Sequence, residues 1–282
     1  MQLHAIETGH FKLDGGAMFG VVPKTLWNKL HTADSDNLID MSMRCLLVQS
    51  GKRLVLIDNG IGDKQDAKFF SHYHLHGEDS LSKSLRKLGF TEADITDVFL
   101  THLHFDHCGG SVKWNESRTG FELSFPNATY WTNEDHWNWA IHPNPREKAS
   151  FLRDNLLPIQ ESGHLKFISP GASLFEGFDF LLMKGHTESM MLPLLTTPKG
   201  KVVYCADLLP FAAHVPLPYV MGYDVRPLIT MEEKAAFLEN ALSEDWTLFF
   251  EHDVKNECGK VIRTDKGIRI SETFPLHHLT GR

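Results

Sequence analysis

The chain has 282 residues, 42% of them hydrophobic and 11% aromatic, with a formal net charge of -8 at pH 7. That composition supports a large buried core and excludes a disordered or fibrous chain. The acidic balance gives no general attraction to phosphate backbones or anionic lipid, so it argues against nucleic-acid and membrane-surface partners. The start, MQLHAIETGHFKLDGG, lacks the basic-then-apolar pattern of a leader, and no window is apolar enough to span a bilayer. Cys45, Cys108, Cys205 and Cys258 lie far apart with no C-x-x-C pair, so neither a disulfide framework nor a thiolate zinc site is expected. A reduced, cytoplasmic compartment fits such thiols.

Along the chain, Asp14 to Met41 is the least regular stretch. It carries Met18, Phe19, Val21, Val22, Leu26 and Trp27, and reads as core packing, a dimer contact or an apolar flap over a site. Met43 to Val48 and Arg53 to Asp58 are apolar runs joined by Ser50-Gly51-Lys52, a strand, turn and strand. Leu81, Leu85 and Leu88 repeat at helical spacing, and Gly89 stops that helix. Val98 to Leu100 is a short strand running into a histidine cluster. Ala128 to Trp131, Phe178 to Met183, Met191 to Thr196 and Val202 to Cys205 read as further strands. Glu232 to Leu242 reads as a helix with Thr230 as its N-cap. Thr247 to Phe250 is a last core strand, and Val261 to Ile270 reads as a terminal hairpin. With no repeat and no linker, residues 1–282 are expected to form one α/β domain. Asp58, His102, Asp207 and His252 each follow a strand, which suggests sheets sharing one catalytic rim, with helices outside.

The chemistry concentrates in His102-Leu103-His104-Phe105-Asp106-His107. His102 and His104 alternate, so in an extended segment both imidazoles face one side and can chelate one ion. Asp106 and His107 follow after the chain turns and point elsewhere. These ligand-type side chains are too many for one hydrolytic ion that must keep an open position, and two neighbouring ions remove the crowding. Aspartate and imidazole suit zinc, and also manganese, iron or cobalt. Cys108-Gly109-Gly110 suits a tight turn close to the site.

Thr101 to His107 resembles the signature of the metallo-β-lactamase superfamily. Gly185-His186-Thr187, the strand ending in Asp207 and the strand ending before His252 match its later motifs in order. Leu56-Ile57-Asp58-Asn59-Gly60 matches another, in which the carboxylate supports the metal ligands. The resemblance implies an αββα sandwich of two mixed β-sheets with helices on the outer faces. It also implies a two-zinc centre: His102, His104 and His186 on one ion, Asp106, His107 and His252 on the other, and Asp207 bridging. The activity implied is hydrolysis by a metal-bridging hydroxide, with Asp106 orienting it and passing its proton to the leaving group.

Asp14 to Lys24 and Ala206-Asp207-Leu208-Leu209-Pro210 resemble the quorum-quenching N-acyl-homoserine lactonase branch. An ester or lactone is therefore the expected small-molecule substrate, and a homodimer is a candidate assembly. Many lactonases of this branch carry a tyrosine three residues after the bridging aspartate, where Pro210 stands here; Tyr223 and His214 are the candidates to contact substrate instead. The alternative readings keep the fold and change the substrate: a thioesterase like glyoxalase II, a phosphotriesterase-like enzyme or an arylesterase. His72, His74 and His76 alternate without an acidic partner in register and read as a solvated loop. Trp131, Trp137, Trp139 and His136 read as core, and Cys108 as a packed small residue rather than a nucleophile.

Overall fold

The structure, a computed structural model, describes residues 1–280. By contact the chain divides into two compact units, Met1–Gly9 with Met43–Leu174, and His10–Ser42 with Phe175–Arg282. Two long strands pass from one unit to the other, β1 (Gln2–Asp14) at Gly9 and β2 (Leu38–Ser50) at Ser42.

In the first unit, β2 turns through Gly51, in the left-handed region at φ 58°, into antiparallel β3 (Arg53–Ile57). Next come β4 (Asp97–Phe99), a small hairpin of β5 (Val112–Trp114) and β6 (Phe121–Leu123), then β7 (Thr129–Thr132) and β8 (Leu165–Phe167). The sheet order is β1-β2-β3-β4-β7-β8, and β3, β4, β7 and β8 run parallel. Leu54 to Ile57 are all buried, the continuous apolar run of a strand covered on both faces. The helix Leu81–Lys87 is capped by Ser80 and ends before Gly89, whose φ is 83°. Val98, Leu100, Phe125, Tyr130 and Trp137 pack in one buried cluster, so Trp137 is core as expected.

The second unit holds β9 (Phe178–Met183), β10 (Met190–Thr197), β11 (Gly200–Tyr204), β12 (Thr247–Phe249), β13 (Cys258–Thr264) and β14 (Gly267–Phe274). They form a mixed sheet in the order β14-β13-β12-β11-β10-β9, in which only β11 and β12 pair in parallel. The stretch between Asp14 and Met41 is more regular than its sequence suggests. Asp14 caps a short helix, Gly15–Phe19, by accepting from the Ala17 amide at 2.7 Å, and Lys24–Trp27 forms another. Met18, Phe19 and Val22 are buried, whereas Val21 is 92% exposed.

The long helix spans Pro227–Ser243. Thr230 is therefore not its N-cap. Proline at the first helical position needs no amide partner and starts the helix at 227 rather than 232, with Arg226 at the cap position. Thr230, Lys234, Phe237 and Ala241 form its buried stripe at helical spacing.

Candidate metal centre

In a parallel pair, both carboxyl ends open on the same edge. Ile57 lies opposite Phe99 in the β3–β4 register, so Asp58 and the segment after Leu100 emerge together. The Asp58 amide donates to Phe99 O at 3.0 Å, and the Asn59 amide donates to His107 O at 2.9 Å. Residues 101–104 lie outside any strand or helix, with His104 in an extended conformation, and a single helical turn, Phe105–Cys108, redirects the chain. The His102 and His104 rings meet edge to face at 4.6 Å, and the His102 and His107 centroids lie 3.9 Å apart. His107 Nε2 lies 3.7 Å from Asp106 Oδ2. Gly109 and Gly110 are required by close approach: a Cβ on either would sit 2.2 Å from the carbonyl oxygen of Ile61 or Asn59.

The supporting contacts set which ring nitrogen each histidine presents. Asp58 Oδ2 holds His107 Nδ1 at 3.1 Å, and its Oδ1 accepts from the Thr101 amide at 2.8 Å. Thr101 Oγ1 meets His102 Nδ1 at 3.0 Å. His104 is turned the other way, with Nε2 3.5 Å from Glu147, so Nδ1 is the nitrogen it presents. His136, fully buried, accepts from the Leu103 amide through Nε2 at 2.8 Å and fixes the backbone between the two histidines.

In the second unit, β9 and β11 both run antiparallel to β10, so β9, β11 and parallel β12 all end on one edge. His186, Asp207 and His252 follow those ends. Ala206, at φ 40°, is forced into the left-handed region immediately before Asp207, a local strain of the kind found where a side chain must be aimed. Asp207 Oδ2 lies 3.2 Å from His186 Nε2, and Oδ1 lies 3.1 Å from His252 Nε2. Behind them, His186 Nδ1 meets Asp224 at 2.9 Å and His252 Nδ1 donates to the Ser42 carbonyl at 2.8 Å. The 184–186 loop is clamped by the long helix. Glu233 accepts from the Lys184 and Gly185 amides, and a Cβ on Gly185 would lie 2.2 Å from Thr230 Oγ1.

This donor set fits divalent metal. A carbonyl can only accept, so His252 Nδ1 carries the proton and its Nε2 presents a lone pair to the Asp207 oxygen 3.1 Å away. Two acceptors facing each other call for a cation or an extra proton between them. The separation is close to the ligand–ligand edge of a tetrahedron with bonds of about 2.0–2.1 Å. Carboxylate and carbonyl partners behind the imidazoles are the usual support of metal-binding histidine. His102 with His104, Asp106 with His107, and His186 with Asp207 each offer donor atoms within 4.8 Å of one another, and all are buried.

The remaining candidates differ in character. His214 is buried, and its Nε2 donates to Met18 O at 2.8 Å while Phe19 stacks on the ring. Burial pushes its pKa down to about 3, so the ring is neutral and Nδ1 is an acceptor. Tyr223, 39% exposed, neighbours Asp224 in the loop before the long helix. Burial pushes the Cys108 thiol up to about 12, so it is no nucleophile at neutral pH. Asp224, Glu147 and His136 were not legible from the sequence, because each reaches its histidine or amide across at least 33 residues of chain without a local motif.

The family model of the metallo-beta-lactamase superfamily matches residues 44–252. An N-acyl homoserine lactonase from a Bacillus species is 23% identical over 243 residues, covering 81% of this chain and 88% of that protein. Among solved structures, a probable metal-dependent hydrolase from Staphylococcus aureus superposes with a TM-score of 0.88 at 28% identity, covering 96% of this chain and 95% of that one. AidC, a dizinc quorum-quenching lactonase solved in complex with a product, gives a TM-score of 0.78 at 25% identity, over 97% and 95% of the two chains.

Proposed function

The chain belongs to the metallo-β-lactamase superfamily and has its fold of two large mixed sheets with helices, and from that premise we propose that it is a dinuclear metal-dependent hydrolase that opens an ester or lactone ring. The observation that carries the dinuclear reading is Asp207, whose two oxygens face the Nε2 atoms of different histidines, His186 and His252. In this reading His102, His104 and His186 hold one ion, Asp106, His107 and His252 hold the other, and Asp207 holds both. Zinc suits these donors, and the dizinc lactonase AidC is similar over nearly the whole chain. N-acyl-homoserine lactones are the substrate class that the similar lactonases suggest.

Bound divalent cations supply Lewis acidity and lower the pKa of water from about 15.7 towards about 7. The protein's own residues do the rest. Asp58, Asp224 and the Ser42 carbonyl keep His107, His186 and His252 in the tautomer that presents Nε2. Asp106 orients the attacking water, takes its proton and delivers it to the leaving alkoxide. The tautomer of His214 limits it to accepting a hydrogen bond, for instance from a substrate amide N–H. Tyr223 is the phenol assigned to donate to a substrate carbonyl. The exposed Val21 is the flap residue offered to an acyl chain. With Cys108 held as a thiol, no covalent acyl-enzyme is needed.

The test is metal analysis joined to a hydrolysis panel of acyl-homoserine lactones, aryl esters, thioesters and phosphotriesters. About two ions per chain and the highest kcat/KM on a lactone are expected. A metal-replete protein that cleaves thioesters or phosphotriesters and leaves lactones intact overturns the substrate assignment. Full activity at one ion per chain overturns the dinuclear one.

A further inference from the structure

A cavity of about 490 Å³ opens on the second unit, and none of its lining residues belongs to the proposed metal centre. That volume lies within the range of small-molecule sites, about 300–1,000 Å³. One wall is the long helix, through Met231, Ala235 and Leu238. Leu228 continues the same face three residues earlier and is 74% exposed. The helix thus carries an apolar stripe beside its buried one, with buried Leu238 at the inner edge and exposed Leu228 at the outer. Leu217 and Ile268 complete the apolar walls.

The rim has the opposite sign to the protein. Arg263, Lys266 and Arg269 border the cavity against one carboxylate, Glu239, while the whole chain carries a formal charge of -8. Glu239 is paired with Arg263. Arg269 donates to the Ile268 carbonyl at 2.7 Å, a contact that leaves its charge unneutralised. Among the described residues no carboxylate pairs with Lys266 or Arg269. Gly267, at φ 90°, closes the β13–β14 turn that carries these cations.

We propose that this cavity binds a soluble aliphatic carboxylate, with the chain along the helix wall and the carboxylate at Lys266 and Arg269. Apolar walls bury the chain, and two cations without acidic partners supply charge-assisted hydrogen bonds to the head. A neutral chain lacks the second contribution, and a short anion lacks the first.

Calorimetric titration of the metal-loaded protein with decanoate tests the assignment, with decanol, acetate and anionic phospholipid vesicles as parallel titrants. Ala235→Phe fills the cavity, and the double variant Lys266→Gln/Arg269→Gln removes the rim charge. Both are checked for wild-type melting temperature and metal content. A second pair, Ala235→Leu and Arg269→Gln alone, serves if either fails to fold. Saturable binding of decanoate is expected, about 10-fold weaker in each variant and for decanol, a loss of about 1.4 kcal/mol. Equal binding by wild type and variants assigns the decanoate to another site and overturns the proposal. So does binding as tight for decanol as for decanoate, binding confined to vesicles, or no binding up to about 1 mM.

Discussion

At the scale of single residues, the centre rests on which nitrogen each histidine presents. Asp207→Ala removes the carboxylate that faces both His186 and His252, and is expected to abolish retention of at least one ion and reduce kcat/KM by at least about 100-fold. His74→Ala, in an exposed turn, is expected to leave metal content and rate unchanged; equal effects from the two would overturn the ligand assignment. Asp224→Asn keeps the shape beside His186 and removes the charge. Loss of such a supporting partner weakens metal binding by about 10–100-fold, measurable by competition with a chromophoric chelator. The proposed ligands from His102 to His107 were visible in the sequence, because alternation and a helical turn leave a local trace there. Asp224 and Glu147 left no such trace. Their partners are distant in the chain, and an isolated aspartate or glutamate in a loop looks like any solvated carboxylate.

At the scale of elements, the long helix holds the loop that carries His186. Its first turns clamp the loop carrying His186, so Gly185→Ala drives a Cβ into Thr230 and is expected to cost about 1–3 kcal/mol of stability and to weaken metal binding. Gly120→Ala, where the nearest atom would be an Asn115 side-chain nitrogen at 3.7 Å, is the control, expected within about 0.5 kcal/mol of wild type by chemical denaturation. The same helix buries Lys234, whose ammonium donates to the carbonyls of His214, Pro216 and Tyr219 at 3.0, 3.2 and 2.7 Å. Burial pushes its pKa from 10.5 down to about 7. Between those values the unfolded chain holds a proton that the folded chain has released, so stability rises with pH. The contribution is complete above the unfolded value and is lost as pH falls through about 7. The denaturation midpoint of wild type is therefore expected to gain on that of Lys234→Met between about pH 7 and 9.5, by about 1–3 kcal/mol in unfolding free energy. A constant difference would show that Lys234 stays charged throughout. Most strands were legible from their apolar runs, since a covered strand needs little more than continuous burial. The helix start was not, because Thr230 looks like a cap until Pro227 is seen to begin the helix. Nor was β1, whose mixed sequence hides a strand of 13 residues.

At the scale of the molecule, the proposed ligands in each unit follow the carboxyl ends of strands that run the same way. Metal bound by the folded chain and not by the unfolded one stabilises the fold by mass action. Chelation is expected to lower the melting temperature by several degrees, with recovery on adding zinc; an unchanged transition would separate metal binding from folding. The αββα class was legible through the resemblance carried by the histidine run, whereas the division into two compact units was not, since no linker or change of composition marks it. The four cysteines give that division a kinetic use. All are fully buried, Cys45 and Cys108 in the first unit, Cys205 and Cys258 in the second. Alkylation of such thiols waits for the backbone around them to open, so each unit carries two internal clocks of its own opening. Peptide mapping after timed exposure to a maleimide is expected to find all four protected in the metal-loaded protein. After chelation, modification is expected to quicken first at Cys108, whose sulfur donates to the Leu103 carbonyl inside the ligand run itself.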